Sequence, residues 1–237
     1  MKILFAGPSL PDAPRLCAGA VEARPPAAHG DVLAAVRAGA TAIGIVDGNF
    51  EHVAPVWHKE ILYALEAGVA VFGAASMGAL RAAECDTFGM IGIGAIYEDY
   101  AGGRRVDDAD VALLHGPAEL GYPALSLALV NVEATLDRLE TLGRLGGKDL
   151  ERLRTAARAL FYKDRTWPAI LSGAGLAENR ADLIQLILAE NVDRKREDAL
   201  ALLAALRDCG TESPAKRGDW RFRATSLWRM AADQPET

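Results

Sequence analysis

In the stretch Val69–Glu84, VAVFGAASMGALRAAE, an apolar run from Val69 to Ala74 halts at Ser76, and a helical pattern rich in Ala, Leu, Arg and Glu follows at once. A continuous apolar strand leading straight into a helix belongs to a mainly parallel sheet buried on both faces, because each crossover lays a helix against it. The same pattern recurs upstream. Lys2 to Ala6 (KILFA) ends at Gly7-Pro8, and Ala42 to Val46 (AIGIV) ends at Asp47-Gly48. Between the strands lie helical stretches, Asp31 to Ala38 closed by Gly39 and Trp57 to Ala67 closed by Gly68, with glycine where a helix stops. The expected class is α/β, a mainly parallel Rossmann-like sheet flanked by helices. Ligands of such sheets bind beyond the carboxyl ends of the strands, which gathers Gly7-Pro8-Ser9, Asp47-Gly48 and Ala75-Ser76 at one edge.

Downstream, Phe88 to Gly94 reads as a glycine-rich passage, a short helix runs to Tyr100, and Val111 to His115 (VALLH) is expected as the last strand. From about Ser126 the composition turns to Leu, Ala, Arg and Glu, with breaks at Gly146-Gly147, Trp167-Pro168, Gly173 and Gly210. This reads as four or five amphipathic helices. The division is therefore an α/β core over residues 1–125 and a helical C-terminal region over 126–237, whose long first helix is expected to pack back on the sheet.

The composition, 51% hydrophobic and 24% charged over 237 residues, is that of an ordinary globular chain and excludes disordered and collagenous classes. No apolar run approaches the ~20 residues of a membrane span. The first strand enters Gly7-Pro8 without a signal-peptide core, so the expectation is a cytoplasmic protein with no membrane partner. Cys17, Cys85 and Cys209 lack ligand spacing, which predicts reduced thiols and no metal. The net charge of −6 is uneven: residues 1–125 carry 8 Lys+Arg against 15 Asp+Glu, and residues 126–237 carry 18 against 17. Nucleic-acid binding needs a basic domain or stripe. Only the tail around Lys216, Arg217, Arg221 and Arg223 is basic, and it reads as a surface for a protein partner, with no nucleic acid expected.

Ser76 stands where an apolar strand turns sharply into a helix, with Ala74 and Gly78 two residues to either side. That is the layout of a nucleophile elbow, in which small neighbours let strand and helix close while the hydroxyl projects above the sheet. Ala74 occupies the position that is usually glycine. The helix entry turns backbone N–H groups, notably that of Met77, toward an oxyanion forming beside Ser76. The alternative is that Ser76 only caps the helix. Asp47 ends a strand on the same edge, and His58, Lys59 and Glu60 occupy the first turn of the next helix, where an imidazole, an ammonium and a carboxylate can form a general-base set. The alternative is a solvated helical turn. Arg81 and Glu84, three residues apart on one helix face, can pair with each other, or Glu84 can reach back to His58 or Lys59.

These residues carry a resemblance. FAGPSL (5–10), PPA (25–27) with Gly30-Asp31, IVDGNF (45–50), WHKEIL (57–62), AASMGALRAAE (74–84) and FGMIG (88–92) resemble the TfuA-like core domain, extended by Asp107-Asp108 and Val111 to His115. The resemblance covers about the first 125 residues. It implies a role beside a YcaO-type enzyme that uses ATP to convert a peptide-backbone amide into a thioamide. This chain itself is expected to carry no cofactor. Its implied part is to supply sulfur by hydrolysing the C-terminal thiocarboxylate of a ThiS-like carrier protein. Acyl chemistry of that kind needs a nucleophile or activated water, a base and an oxyanion site, which assigns Ser76, His58 and Asp47 catalytic roles and Gly7, Ser9, Lys59, Glu60, Met77, Arg81 and Glu84 binding or supporting ones. A persulfide relay through Cys85 is the weaker mechanism. A non-catalytic adaptor or activator that docks YcaO and recruits the sulfur donor is the other class of function, and a homodimer is admitted.

Overall fold

The computed structural model describes residues 1–49, 53–210 and 219–232. Phe50, which closes the IVDGNF motif, and Lys216 and Arg217 of the basic tail lie outside the described residues. Two compact units form, Met1–Arg104 with Asp198–Thr237, and Arg105–Glu197. The boundary expected near residue 126 falls inside the second of these.

In the first unit, β1 (Lys2–Phe5), β2 (Glu22–Arg24), β3 (Ala42–Ile45), β4 (Ala70–Ala74) and β5 (Ile91–Ile93) form one sheet in the order β2-β1-β3-β4-β5. Every pairing is parallel. This is the flavodoxin-like order of doubly wound sheets, whose strand sequence reverses between β1 and β3 and leaves a crevice at their carboxyl ends. Alternation along the central strands sends Ile3, Phe5, Ile43, Ile45 and Val71 to one face and Leu4, Ala42, Ala70 and Phe72 to the other. The first face is covered by α2 (Asp31–Arg37), α3 (His58–Glu66) and α4 (Met77–Cys85). The second is covered by α1 (Ala13–Cys17) and by Ala199, Leu202, Leu203 and Leu206 of the helix Arg194–Asp208. With both faces buried, the central strands read as unbroken apolar runs.

Two strands escape that pattern. β2 is a polar edge strand, Glu-Ala-Arg, and β5 is only three residues long with Gly92 at its centre. A short helix, α5 (Ala95–Ala101), follows β5.

The expected strand Val111 to His115 does not join the sheet. It lies in the second unit, where His115 makes an isolated antiparallel bridge to Ala124. Val111 and Ala112 are buried there while Leu114 is exposed, so the apolar run reports burial without strand pairing.

The second unit has its own core. It is built from α6 (Leu129–Thr141), α7 (Gly147–Ala159), α8 (Trp167–Gly173) and α9 (Arg180–Ala189), around the fully buried Val132, Leu136, Leu139, Leu153, Ile170 and Ile187. The helix α6, expected on the sheet, belongs to this core. Arg165, also buried, donates to the carbonyl oxygens of Ala157 at 3.0 Å, Leu160 at 3.2 Å and Leu127 at 3.3 Å, tying the end of α7 to the start of α6. The helices α10 (Arg194–Asp208) and α11 (Ser226–Ala232) complete the α-helices among the described residues. No helix among those residues is long and apolar enough to cross a membrane.

Candidate functional site

β4 ends at Ala74 and α4 begins at Met77, so Ala75 and Ser76 make the whole turn. The Ser76 N–H donates to the Ala74 carbonyl at 2.7 Å around Ala75, whose φ is +66°. A γ-turn with positive φ is rare and strained, and a residue with a Cβ held there costs about 1–2 kcal/mol. Packing maintains it. Ala75 is fully buried, and the Gly78 N–H donates to Val46 O at 3.2 Å, clamping α4 against the end of β3. A Cβ on Gly78 would lie 1.7 Å from Ile45 O, so the close approach requires glycine.

The Ser76 hydroxyl does not cap α4 and makes no hydrogen bond among the described residues. No buried side-chain nitrogen or oxygen among them lacks a partner, so this unpaired hydroxyl keeps contact with solvent although Ser76 as a whole is 3% exposed. The Met77 N–H likewise has no protein acceptor among the described residues. The turn therefore sets an unengaged hydroxyl beside a free helix-entry N–H, the pair of groups that acyl chemistry draws on.

Asp47 leaves β3 on the same edge, and its carboxylate is fully engaged. Oδ2 accepts the N–H groups of Gly7 at 2.8 Å and Ser9 at 3.0 Å, while Oδ1 accepts the Ser9 hydroxyl at 2.6 Å. These bonds fix the loop after β1 at the point where the strand order reverses. Gly48, the next residue, packs on Met77, where a Cβ would come within 2.6 Å of Met77 Cγ.

Glu60 is completely buried. Oε1 meets His29 Nδ1 at 3.0 Å and accepts the Trp57 N–H at 3.3 Å, and Oε2 accepts the N–H groups of Gly30 at 3.0 Å and Leu33 at 3.3 Å. It ties the start of α2 to the start of α3. Lys59 Nζ donates to Arg223 O at 2.5 Å and lies over the Phe222 ring.

No hydrogen bond joins His58 to Ser76, the pair expected to converge. His58 Nε2 instead meets Glu84 Oε2 at 2.7 Å, and Arg81 Nη1 donates to the same oxygen at 2.7 Å while Arg81 Nε donates to Val56 O at 3.0 Å. Ser76 and Glu84 lie at opposite ends of α4, about 12 Å apart in helical rise. The His58 hydrogen bond, and then Arg81, hold the Glu84 carboxyl below its usual range against the opposing effect of burial. The Nε2 contact leaves His58 Nδ1 without a partner among the described residues.

His58 and Arg81 face a cleft of about 440 Å³ walled by Val56, Trp57, Leu227 and Trp228. The last two come from α11, and nothing in the sequence around the motif signals them. Trp57 stacks on His29 with ring centroids 3.9 Å apart.

The Cys85 thiol is buried, and burial, with a smaller effect from the Glu84 charge, pushes it up to about 12. Cys17 is raised as well, by burial. Among the described residues, no group of three His, Cys, Asp or Glu side chains could hold a metal ion.

No curated protein is similar enough to this chain to serve as a relative. The family model for TfuA-like proteins matches residues 47–166, from the end of β3 through the α4 turn and into the second unit. That match spans half of the sequence, and the chain belongs to the TfuA-like protein family.

Proposed function

We propose that this chain supplies sulfur to a YcaO-type enzyme during peptide-backbone thioamide formation, by hydrolysing the C-terminal thiocarboxylate of a ThiS-like carrier protein. The observation that carries the reading is the Ser76 turn, with a strained backbone, an unengaged hydroxyl and a free Met77 N–H. Strain stored at a turn of this kind accompanies functional sites. In the first step Ser76 Oγ bonds to the thiocarboxylate carbon, the C–S bond breaks, and the hydroxyl proton ends on sulfur, which leaves as HS⁻. The substrate's own sulfur is the final acceptor of the proton, and no histidine hydrogen-bonds Ser76 among the described residues. Water then cleaves the seryl ester, releasing the carrier carboxylate and a proton and restoring Ser76. The net reaction is thiocarboxylate plus water to carboxylate plus hydrogen sulfide.

A second reading rests on the His58–Glu84 contact. A base oriented by a carboxylate, with its other nitrogen free, can activate water directly. The Cys85 thiol, protonated near neutral pH, favours neither a thiolate nor a persulfide relay.

The purified chain, given carrier thiocarboxylate without YcaO, is expected to release sulfide by methylene-blue assay and carrier carboxylate by mass spectrometry. Ser76→Ala should abolish both. A folded Ser76→Ala protein of full activity, with loss in His58→Ala, would transfer the chemistry to His58 and water. No turnover by the parent chain would leave the adaptor role.

A further inference from the structure

The cleft at the start of α3 combines features the Ser76 chemistry does not use. Its walls are apolar, from Val56, Trp57, Leu227 and Trp228, and the ionisable side chains lining it are His58, Lys59 and Arg81. Among the described residues no carboxylate lines it; Glu84 offsets one of these charges from outside the lining. Arg81 engages Nε and Nη1 but leaves Nη2 without a partner there, as His58 leaves Nδ1. The segment 219–232, which gives Thr225, Leu227 and Trp228 to the lining, also carries Arg221, Arg223 and Arg229, exposed and with no carboxylate partner among the described residues, against one carboxylate, Asp219. Leu227 and Met230 are 63% and 68% exposed. In a chain of net charge −6, this is a local concentration of positive charge around an apolar recess.

The recess is also preformed. Trp228 packs on Tyr63 and Phe222 with centroids 5.3 and 5.1 Å away, and Trp220 Nε1 donates to Phe88 O at 3.1 Å. Lys59 holds Arg223 O. A site whose walls are already ordered binds with less loss of freedom, and about 440 Å³ is within the size range of small-ligand pockets.

We propose that this cleft docks an acidic segment of a partner protein, with one bulky apolar side chain inserted between Trp57 and α11 and flanking carboxylates facing Arg81, His58 and the arginines of residues 221–229. Charge complementarity selects the sign, and the recessed apolar wall selects a peptide over a membrane, which would need an outward apolar plane. Single-stranded nucleic acid would need free aromatic faces for stacking, whereas Trp57 already stacks on His29 and Trp228 is buried among Tyr63 and Phe222. The inference stands apart from the Ser76 chemistry, and the failure of either leaves the other intact.

The test is fluorescence anisotropy with the full chain and a fluorescein-labelled peptide in which glutamates and aspartates flank one leucine. Binding is expected, weakening as salt rises, and falling roughly tenfold or more, about 1.4 kcal/mol, in Leu227→Asp and in Arg81→Gln. Leu227 is exposed, so its variant is expected to fold even if Arg81→Gln does not, and circular dichroism checks both. Peptides with lysines for the acids, or serine for the leucine, should not bind. No binding by the acidic peptide, or binding unchanged in a folded Leu227→Asp variant, would overturn the proposal. So would tighter binding to phosphatidylserine vesicles or to a single-stranded oligonucleotide.

Discussion

Ser9 donates its hydroxyl to Asp47 Oδ1 at 2.6 Å across the point where the strand order of the sheet reverses. The same carboxylate accepts two N–H groups from the β1 loop, so Asp47 holds that loop in place. It stands on the edge that carries the Ser76 turn, with the Gly7–Ser9 loop fixed beside it.

Asp47→Ala should destabilise the protein by at least about 3 kcal/mol, because it strands two buried N–H groups and a hydroxyl, each costing roughly 1–3 kcal/mol when unsatisfied. Asp47→Asn keeps one carbonyl acceptor and should cost less. Urea unfolding curves of the two variants, compared with the parent, measure the difference.

Ser76→Ala should leave stability within about 0.5 kcal/mol of the parent, since the hydroxyl makes no cap hydrogen bond and a lost cap would cost ~1 kcal/mol. A thermal melt shifted by a full cap's worth would show that the hydroxyl is engaged in structure after all.

Gly78→Ala should prevent folding or cost more than ~4 kcal/mol, the range of severe backbone conflicts, because the new methyl would meet Ile45 O at 1.7 Å. Gly48→Ala should be milder but still destabilising, about 1–3 kcal/mol of overpacking, because the methyl would meet Met77 Cγ at 2.6 Å and Cβ at 2.8 Å, so the start of α4 has to shift. Soluble yield and circular dichroism separate the two.

Cys85 should resist iodoacetamide near neutral pH while half-buried Cys209 reacts, with mass mapping as the readout. The folded thiol is pushed from 9.0 up to about 12. The folded state therefore keeps this proton after the unfolded chain has lost it. This contribution leaves stability intact below pH 9 and erodes it as pH rises toward 12, by at most ~1.4 kcal/mol per unit. A Cys85→Ala variant should show a shallower alkaline fall in unfolding free energy than the parent.

Much of the α/β core is legible in the chain itself. β1, β3 and β4 are apolar runs because helices bury them from both sides, and α4 follows its strand from Met77 to Cys85 as the Ala, Leu, Arg and Glu pattern requires. β2 and β5 are not legible, since an edge strand of Glu-Ala-Arg and a three-residue Ile-Gly-Ile run carry neither length nor alternation.

The amino-acid order specifies local matters: where strands stop, where helices start, and that Ser76 sits between them. The partners of each side chain emerge only when the chain is folded. Glu84 lies 26 positions from His58 and 3 from Arg81, yet it binds both, while Asp47 and Glu60 disappear into backbone hydrogen bonds. Leu227 and Trp228 of α11 reach the cleft beside Trp57 from near the other end of the chain. Local pattern reports the burial and φ/ψ preferences of neighbouring residues, but side-chain pairing depends on which helices a sheet brings together, and that is settled by long-range packing.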